Sequence, residues 1–236
     1  MSKRRLLLLS NSTNAGERYL GYPRKEIKGF LGTKLKDVLF IPYAAVRFSY
    51  DHYNDMVDEA FQDMGYGVRS IHQSPDPMAS VQHAEAIVIG GGNSFHLLYH
   101  LYTQNVLDEI RKRVRDGIPY IGWSAGANVA CPTIRTTNDM PVIEPPSLDA
   151  LNLVSFQINP HYIDSHPPGH AGETRDERLA EYTQVNKETT VIGLREGTLL
   201  QVKGATIQLT GDQPARIFRH GQESFDTSDV SDIERT

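Results

Sequence analysis

One cysteine, Cys131, stands among the 236 residues. No disulfide can close within the chain, so burial and hydrogen bonding must hold the fold, as is usual in a reducing compartment. Long apolar runs are also missing: nothing approaches the roughly 20 residues a membrane-spanning helix needs. The start, Met1-Ser-Lys-Arg-Arg, has the charge of a signal-peptide leader. The apolar stretch behind it, Leu6–Leu9, gives way at once to Ser10-Asn11-Ser12-Thr13-Asn14 and reads as a first buried strand. Excess positive charge is absent too, with 24 Lys and Arg against 29 Asp and Glu and a formal net charge of −5. Nucleic acid is therefore not the expected partner. A cytoplasmic protein without nucleic-acid or membrane partners is expected. No internal repeat is visible, and nothing in the sequence specifies an oligomeric state.

The first half alternates short apolar runs with segments of helical periodicity. The runs are Leu6–Leu9, Val38–Ile41, Val68–Ile71, Ala86–Ile89 and Tyr120–Gly122. Their continuity suits strands buried on both faces. Tyr53–Met64, Phe95–Tyr102 and Val106–Val114 read as helices between them. The pattern predicts an α/β fold, a doubly wound and mostly parallel sheet, whose site lies at the carboxyl ends of the strands. In the second half, Thr133–His170 reads as a long loop region and Glu177–Tyr182 as a helix. Thr190–Leu194, Thr198–Val202, Thr206–Leu209 and Ala215–Arg219 read as antiparallel additions to the sheet. Residues 1–221 are expected to form one catalytic domain. The acidic, Ser-rich stretch 222–236 has little to bury and is expected to be disordered.

Gly122-Trp123-Ser124-Ala125-Gly126 matches G-x-S-x-G, after an apolar strand and before the helix-compatible run Ala127–Cys131. That context is the nucleophile elbow, which lifts a serine hydroxyl onto a tight turn at a helix N-terminus. The plainer alternative is a turn whose serine merely caps the helix. Gly90-Gly91-Gly92-Asn93 follows the Ala86–Ile89 strand and can bring a second backbone N–H donor opposite Ala125. It completes neither a Walker motif nor a dinucleotide fingerprint, so no cofactor is expected.

A serine nucleophile requires a base and a carboxylate to orient it. His161, in Asn159-Pro160-His161 after the strand-like run Val154–Ile158, is the best placed of nine histidines. His166 and His170 lie deeper in the loop. The spacing of the three matches no standard metal-ligand pattern, and no metal is expected. For the carboxylate, Asp139 in an irregular loop and Glu196 at the Glu196-Gly197 turn remain open; each has a plainer reading as a turn residue. Thr174-x-x-Glu177 fits a capping box, which makes Arg175 the first residue of a helix and half of a compact anion site, unless it merely faces solvent. Cys131, two helical turns beyond Ser124, is expected to be buried and unreactive.

Several blocks resemble the peptidase E family of α-aspartyl dipeptidases. They are Gly122-Trp-Ser-Ala-Gly-Ala-Asn, Cys131-Pro-Thr-Ile-Arg-Thr-Thr-Asn-Asp-Met-Pro, Gln157-Ile-Asn-Pro-His, Gly172-Glu-Thr-Arg, Leu7-Leu-Leu-Ser-Asn-Ser-Thr and Val88-Ile-Gly-Gly-Gly-Asn. The resemblance runs to about Phe218; Asn14–Lys36 and the tail depart from it. It implies a fold similar to class I glutamine amidotransferases, with serine in place of cysteine, and cleavage of Asp-Xaa dipeptides through an acyl-enzyme. It places the nucleophile on Ser124, the base on His161, and the acid on Asp139 or Glu196, with Asp139 ranked first. It puts the oxyanion donors on Gly92 and Ala125, beside Asn93, and substrate recognition on Arg175. The alternatives are a related serine hydrolase of different specificity, such as a cyanophycinase-like peptidase or an esterase, and a non-catalytic binding module.

Overall fold

A computed structural model describes residues 3–164, 169 and 171–233. The first half alternates strand and helix as β1 (Arg5–Leu9), α1 (Arg24–Leu31), β2 (Asp37–Ile41), α2 (Tyr50–Gln62), β3 (Gly67–Ser70), α3 (Pro77–Gln82), β4 (Ile87–Ile89), α4 (Ser94–Thr103), α5 (Leu107–Arg115), β5 (Pro119–Trp123) and α6 (Ala125–Asn128). Then come β6 (Gln157–Tyr162), α7 (Arg175–Val185), β7 (Val191–Arg195), β8 (Leu199–Lys203), β9 (Thr206–Thr210), β10 (Ala215–Phe218) and β11 (Phe225–Thr227).

Seven strands form the main sheet in the order β3-β2-β4-β5-β1-β8-β9. The first five are mutually parallel, and β8 and β9 are antiparallel additions. Both faces are covered, which is why the strands read as unbroken apolar runs. In β1, Leu6 and Leu8 pack into one cluster with α4 and α5, whereas Leu7 and Leu9 pack into the other with α1 and α2. The alternation is the two-residue strand period, with both sides buried.

The C-terminal strands do not all join this sheet, as the sequence had suggested. β7 and β10 build a second sheet, β11-β10-β7-β6, in which β6 and β7 are parallel. Ile158, Ile192, Leu194 and Ile217 from these strands pack into the same cluster as Leu6, Leu8 and α6. The apolar pattern of β7 and β10 is satisfied equally by either sheet, and topology decides between them. Of the stretch 222–236, expected to be disordered, residues 222–233 are described. Phe225–Thr227 pairs with β10, and Val230 and Ile233 are buried against the core. A three-residue strand and two isolated apolar side chains leave little signal in an acidic sequence.

Candidate active site

The elbow forms where β5 enters α6. Ser124 has φ +53° and ψ −113°, a conformation foreign to both strand and helix; a non-glycine residue held there carries strain of about 1–3 kcal/mol. Its N–H donates to Leu9 O at 3.1 Å, tying the turn to the end of β1. The flanking glycines are steric necessities. A Cβ on Gly122 would lie 2.3 Å from Gly126 O, and one on Gly126 would lie 2.2 Å from Ile89 O.

The glycine cluster after β4 runs alongside, so close that a Cβ on Gly91 would stand 3.0 Å from the Ser124 Cβ. Gly92 adopts φ +134° beneath Ala44 O. Neither its N–H nor that of Ala125 finds an acceptor among the described residues. Two unsatisfied donors beside a serine hydroxyl suit a developing oxyanion. Asn93 is the N-cap of α4: its Oδ1 accepts from His96 N at 3.0 Å and its Nδ2 donates to Met140 O.

His161 comes from the opposite sheet. The β6–β7 register shifts between Asn159 and Tyr162, and His161 has φ +51° in that irregularity. A bulge re-aims the side chain it carries. Here it sends Nε2 to 2.9 Å from Ser124 Oγ. Nδ1 meets Glu196 Oε1 at 2.6 Å, which fixes the Nδ1–H tautomer and leaves the Nε2 lone pair facing the serine.

Glu196 sits on the turn after β7. Gly197, at φ +78°, turns the chain and donates its N–H to Asn11 Oδ1 at 2.9 Å. Two residues that sequence reasoning left without a role adjoin this pair, Ser10 through a hydrogen bond and Arg195 as the residue before Glu196. The buried Ser10 hydroxyl accepts from His161 N at 2.9 Å and donates to Leu194 O at 2.6 Å. The Arg195 side chain, 6% exposed, grips Asp164 and Asp226 and lies over the Tyr162 ring. Its hydrogen bond holds the Asp164 carboxyl below its ordinary pKa, with burial opposing and the guanidinium charge assisting. Neither residue has a local signature; each is recognisable only once β1, β6 and β7 come together.

Asp139, ranked first on sequence, lies elsewhere. Its Oδ2 accepts from Ser94 N at 2.7 Å and from Thr137 Oγ1 at 3.0 Å. A carboxylate at the first N–H of α4 complements the helix dipole, and no hydrogen bond links it to His161. The acid facing the imidazole is Glu196. His166 and His170 lie outside the described residues. Cys131 is fully buried, with Ile158 N–H donating to Sγ at 3.2 Å, and burial pushes its thiol up to about 12. Such a thiol supplies no thiolate at neutral pH.

Arg175 opens α7 as expected. Thr174 and Glu177 form both hydrogen bonds of the capping box. Burial, then the neighbouring Arg178, lowers the guanidinium pKa, and the Tyr162 phenol opposes them. Arg175 makes no hydrogen bond or ion pair with a described residue, whereas its neighbour Asp176 is engaged by Tyr162, Arg216 and Ser224.

A serine on a strained elbow, an imidazole turned toward it and a carboxylate behind the imidazole define the class of serine hydrolases. The profile of peptidase family S51 matches residues 6–210, and the chain belongs to that family; it is a serine peptidase. It is 53% identical over 223 residues to peptidase E of a Nostoc species, covering 94% of this chain and 92% of that one. It is 47% identical over 227 residues to peptidase E of a Shewanella species, covering 96% of each. Among solved structures, a peptidase from an acI-B1 actinobacterium superposes with a TM-score of 0.72 at 18% identity, covering 97% of this chain and 96% of that one. A Listeria monocytogenes protein assigned to peptidase E gives 0.67 at 23% identity, covering 89% and 98%. These two likenesses speak to the fold. Among the described residues no helix is long and apolar enough to cross a membrane.

Proposed function

We propose that the chain is a dipeptidase that removes N-terminal aspartate from Asp-Xaa dipeptides through an acyl-enzyme on Ser124. The observation that carries this reading is the continuous chain from Ser124 Oγ through His161 to Glu196, with links of 2.9 and 2.6 Å. His161 Nε2 takes the serine proton as Oγ attacks the scissile carbonyl. Glu196 holds the ring by accepting from Nδ1–H and stabilises the imidazolium that forms. The negative oxygen develops between the Gly92 and Ala125 N–H groups, which are fixed before it appears. The imidazolium then protonates the departing amine. Water enters, His161 takes its proton, and hydrolysis of the ester frees aspartate and restores the serine.

The half-buried guanidinium of Arg175, at a capped helix start and without a partner among the described residues, supports the specificity. The next residue of the same helix, Asp176, accepts a hydrogen bond from the hydroxyl of Tyr162, one residue beyond His161. A substrate β-carboxylate would supply the missing anion, and a substrate without one would leave the partly desolvated cation unpaired. The test is hydrolysis of Asp-Leu, Glu-Leu, Asn-Leu and Ala-Leu by the wild type and by Arg175→Ala. Asp-Leu is expected to exceed Ala-Leu by at least about a hundredfold in kcat/KM, and Arg175→Ala to erase most of that margin with a small change in Tm. Equal turnover of Asp-Leu and Ala-Leu would remove the aspartate assignment and leave the peptidase class standing.

A further inference from the structure

We propose that Tyr53, far from Ser124 in sequence and hydrogen-bonded to neither Ser124 nor His161, is a positioning residue that aims one oxyanion donor, the Gly92 N–H. The proposal rests on the reading of Ser124 as nucleophile and concerns how its transition state is held. An oxyanion donor helps only if it points correctly before charge develops. The Gly92 N–H belongs to the peptide unit whose carbonyl is that of Gly91. That unit is planar and trans, so its C=O and N–H point in opposite directions. Two glycines flank it, and no side chain restrains rotation of the plane.

The restraint comes from behind. The Tyr53 hydroxyl, on α2, donates to Gly91 O at 3.0 Å. A bond that fixes the carbonyl on one side fixes the N–H on the other. The direction of the bond is set in turn: Trp123 Nε1–H donates to the Tyr53 oxygen at 3.0 Å, and the Tyr19 hydroxyl lies 3.4 Å away. Trp123 directly precedes Ser124, so one hydrogen-bond chain ties the donor plane to the nucleophile's own strand. The ring is 3% exposed and held edge-on by Phe40 at 5.0 Å and Phe48 at 5.2 Å. Burial pushes its phenol up to about 12, so it stays a proton donor at neutral pH. The lack of a side chain at Gly90 fits the same arrangement, because a Cβ there would lie 2.5 Å from the Tyr53 hydroxyl.

The test compares Tyr53→Phe and Trp123→Phe with wild type in Asp-Leu hydrolysis, in the second-order rate at which a fluorophosphonate labels Ser124, and in thermal melting. Tyr53→Phe is expected to lower kcat about tenfold, less than outright loss of a donor, and to leave KM within about twofold. The labelling rate should fall in parallel, because the phosphonyl oxygen occupies the same hole. Trp123→Phe, which keeps the hydroxyl and loses only the bond that orients it, should give a smaller loss in the same direction. A purely structural Tyr53 would change Tm while leaving kcat and labelling within twofold of wild type, and that result overturns the proposal. Failure of the wild type to label at Ser124 would overturn the nucleophile assignment and this proposal with it.

Discussion

The two halves of the site are built differently. On the main sheet, Ser124 is wedged between backbones: Gly122 and Gly126 meet neighbouring carbonyls with no room for a methyl group, and Ala125 is 1% exposed. On the second sheet, the side chains of His161 and Glu196 are 39% and 54% exposed. Their backbone is held by Ser10, which accepts from the His161 N–H, and by Asn11, which accepts from the Gly197 N–H, rather than by packing over the side chains. Ser124 thus depends on close backbone contacts in the core, and His161 depends on hydrogen bonds to buried backbone and side-chain groups. Substitution on the first side should damage folding and activity together, whereas on the second it should damage activity while largely sparing the fold.

The sharpest break of that contrast is Gly126→Ala. Its methyl would collide with the Ile89 carbonyl, backbone against backbone. We expect a loss of at least about 3 kcal/mol, seen as a Tm drop of about 6–12 °C or as insoluble protein, with activity falling alongside. A normal melt would show that the elbow is looser than its contacts indicate. Next in size is Glu196→Ala, expected to lower kcat/KM by about 10²–10⁴ with Tm within a few degrees, because the imidazole loses its orienting acceptor. Asp139→Ala should behave in the opposite way. It removes a carboxylate from the start of α4 and should cost about 0.5–2 kcal/mol, with less than a tenfold change in kcat/KM. If the two variants exchanged roles, Asp139 would be the acid after all.

The smallest effect belongs to Asp164→Asn. Asp164 is mostly exposed, so its link to Arg195 should be worth less than about 1 kcal/mol, or some 2–4 °C in Tm. The sign follows from the depressed pKa: Arg195 favours the charged carboxylate in the folded state. The contribution is present above the ordinary carboxyl value of 3.8 and is lost as pH falls through the lower folded value. Melts of wild type and variant should differ at pH 7 and converge once the pH has fallen below the depressed carboxyl value. A difference that persists in acid would point to packing rather than charge.

How much of this was legible in the sequence depends on the range of the cause. β1, β2, β4 and β5 were visible because burial on both faces makes unbroken apolar runs, and the elbow because its glycines are dictated within five residues. α1 escaped notice because it starts behind Pro23 with no side-chain cap and carries Gly29 inside. β6 lies three residues later than its apolar run suggested, since a bulge carries Pro160 and His161 within the pairing. The choice between Asp139 and Glu196 was beyond local reading: both sit in turns, and only the meeting of β6 with β7 puts one of them against the imidazole. Tyr53, Ser10 and Arg195 were invisible for the same reason, since their partners lie 38, 151 and 31 residues away.

The chemistry of the site turns on activation of Ser124 by His161. Intact-mass and peptide-mapping analysis of the protein treated with a fluorophosphonate tests it most directly. We expect a single adduct on the peptide carrying Ser124, absent from Ser124→Ala and at least about a hundredfold slower in His161→Ala. An unlabelled wild type, or labelling that survives loss of His161 at the same rate, would contradict it.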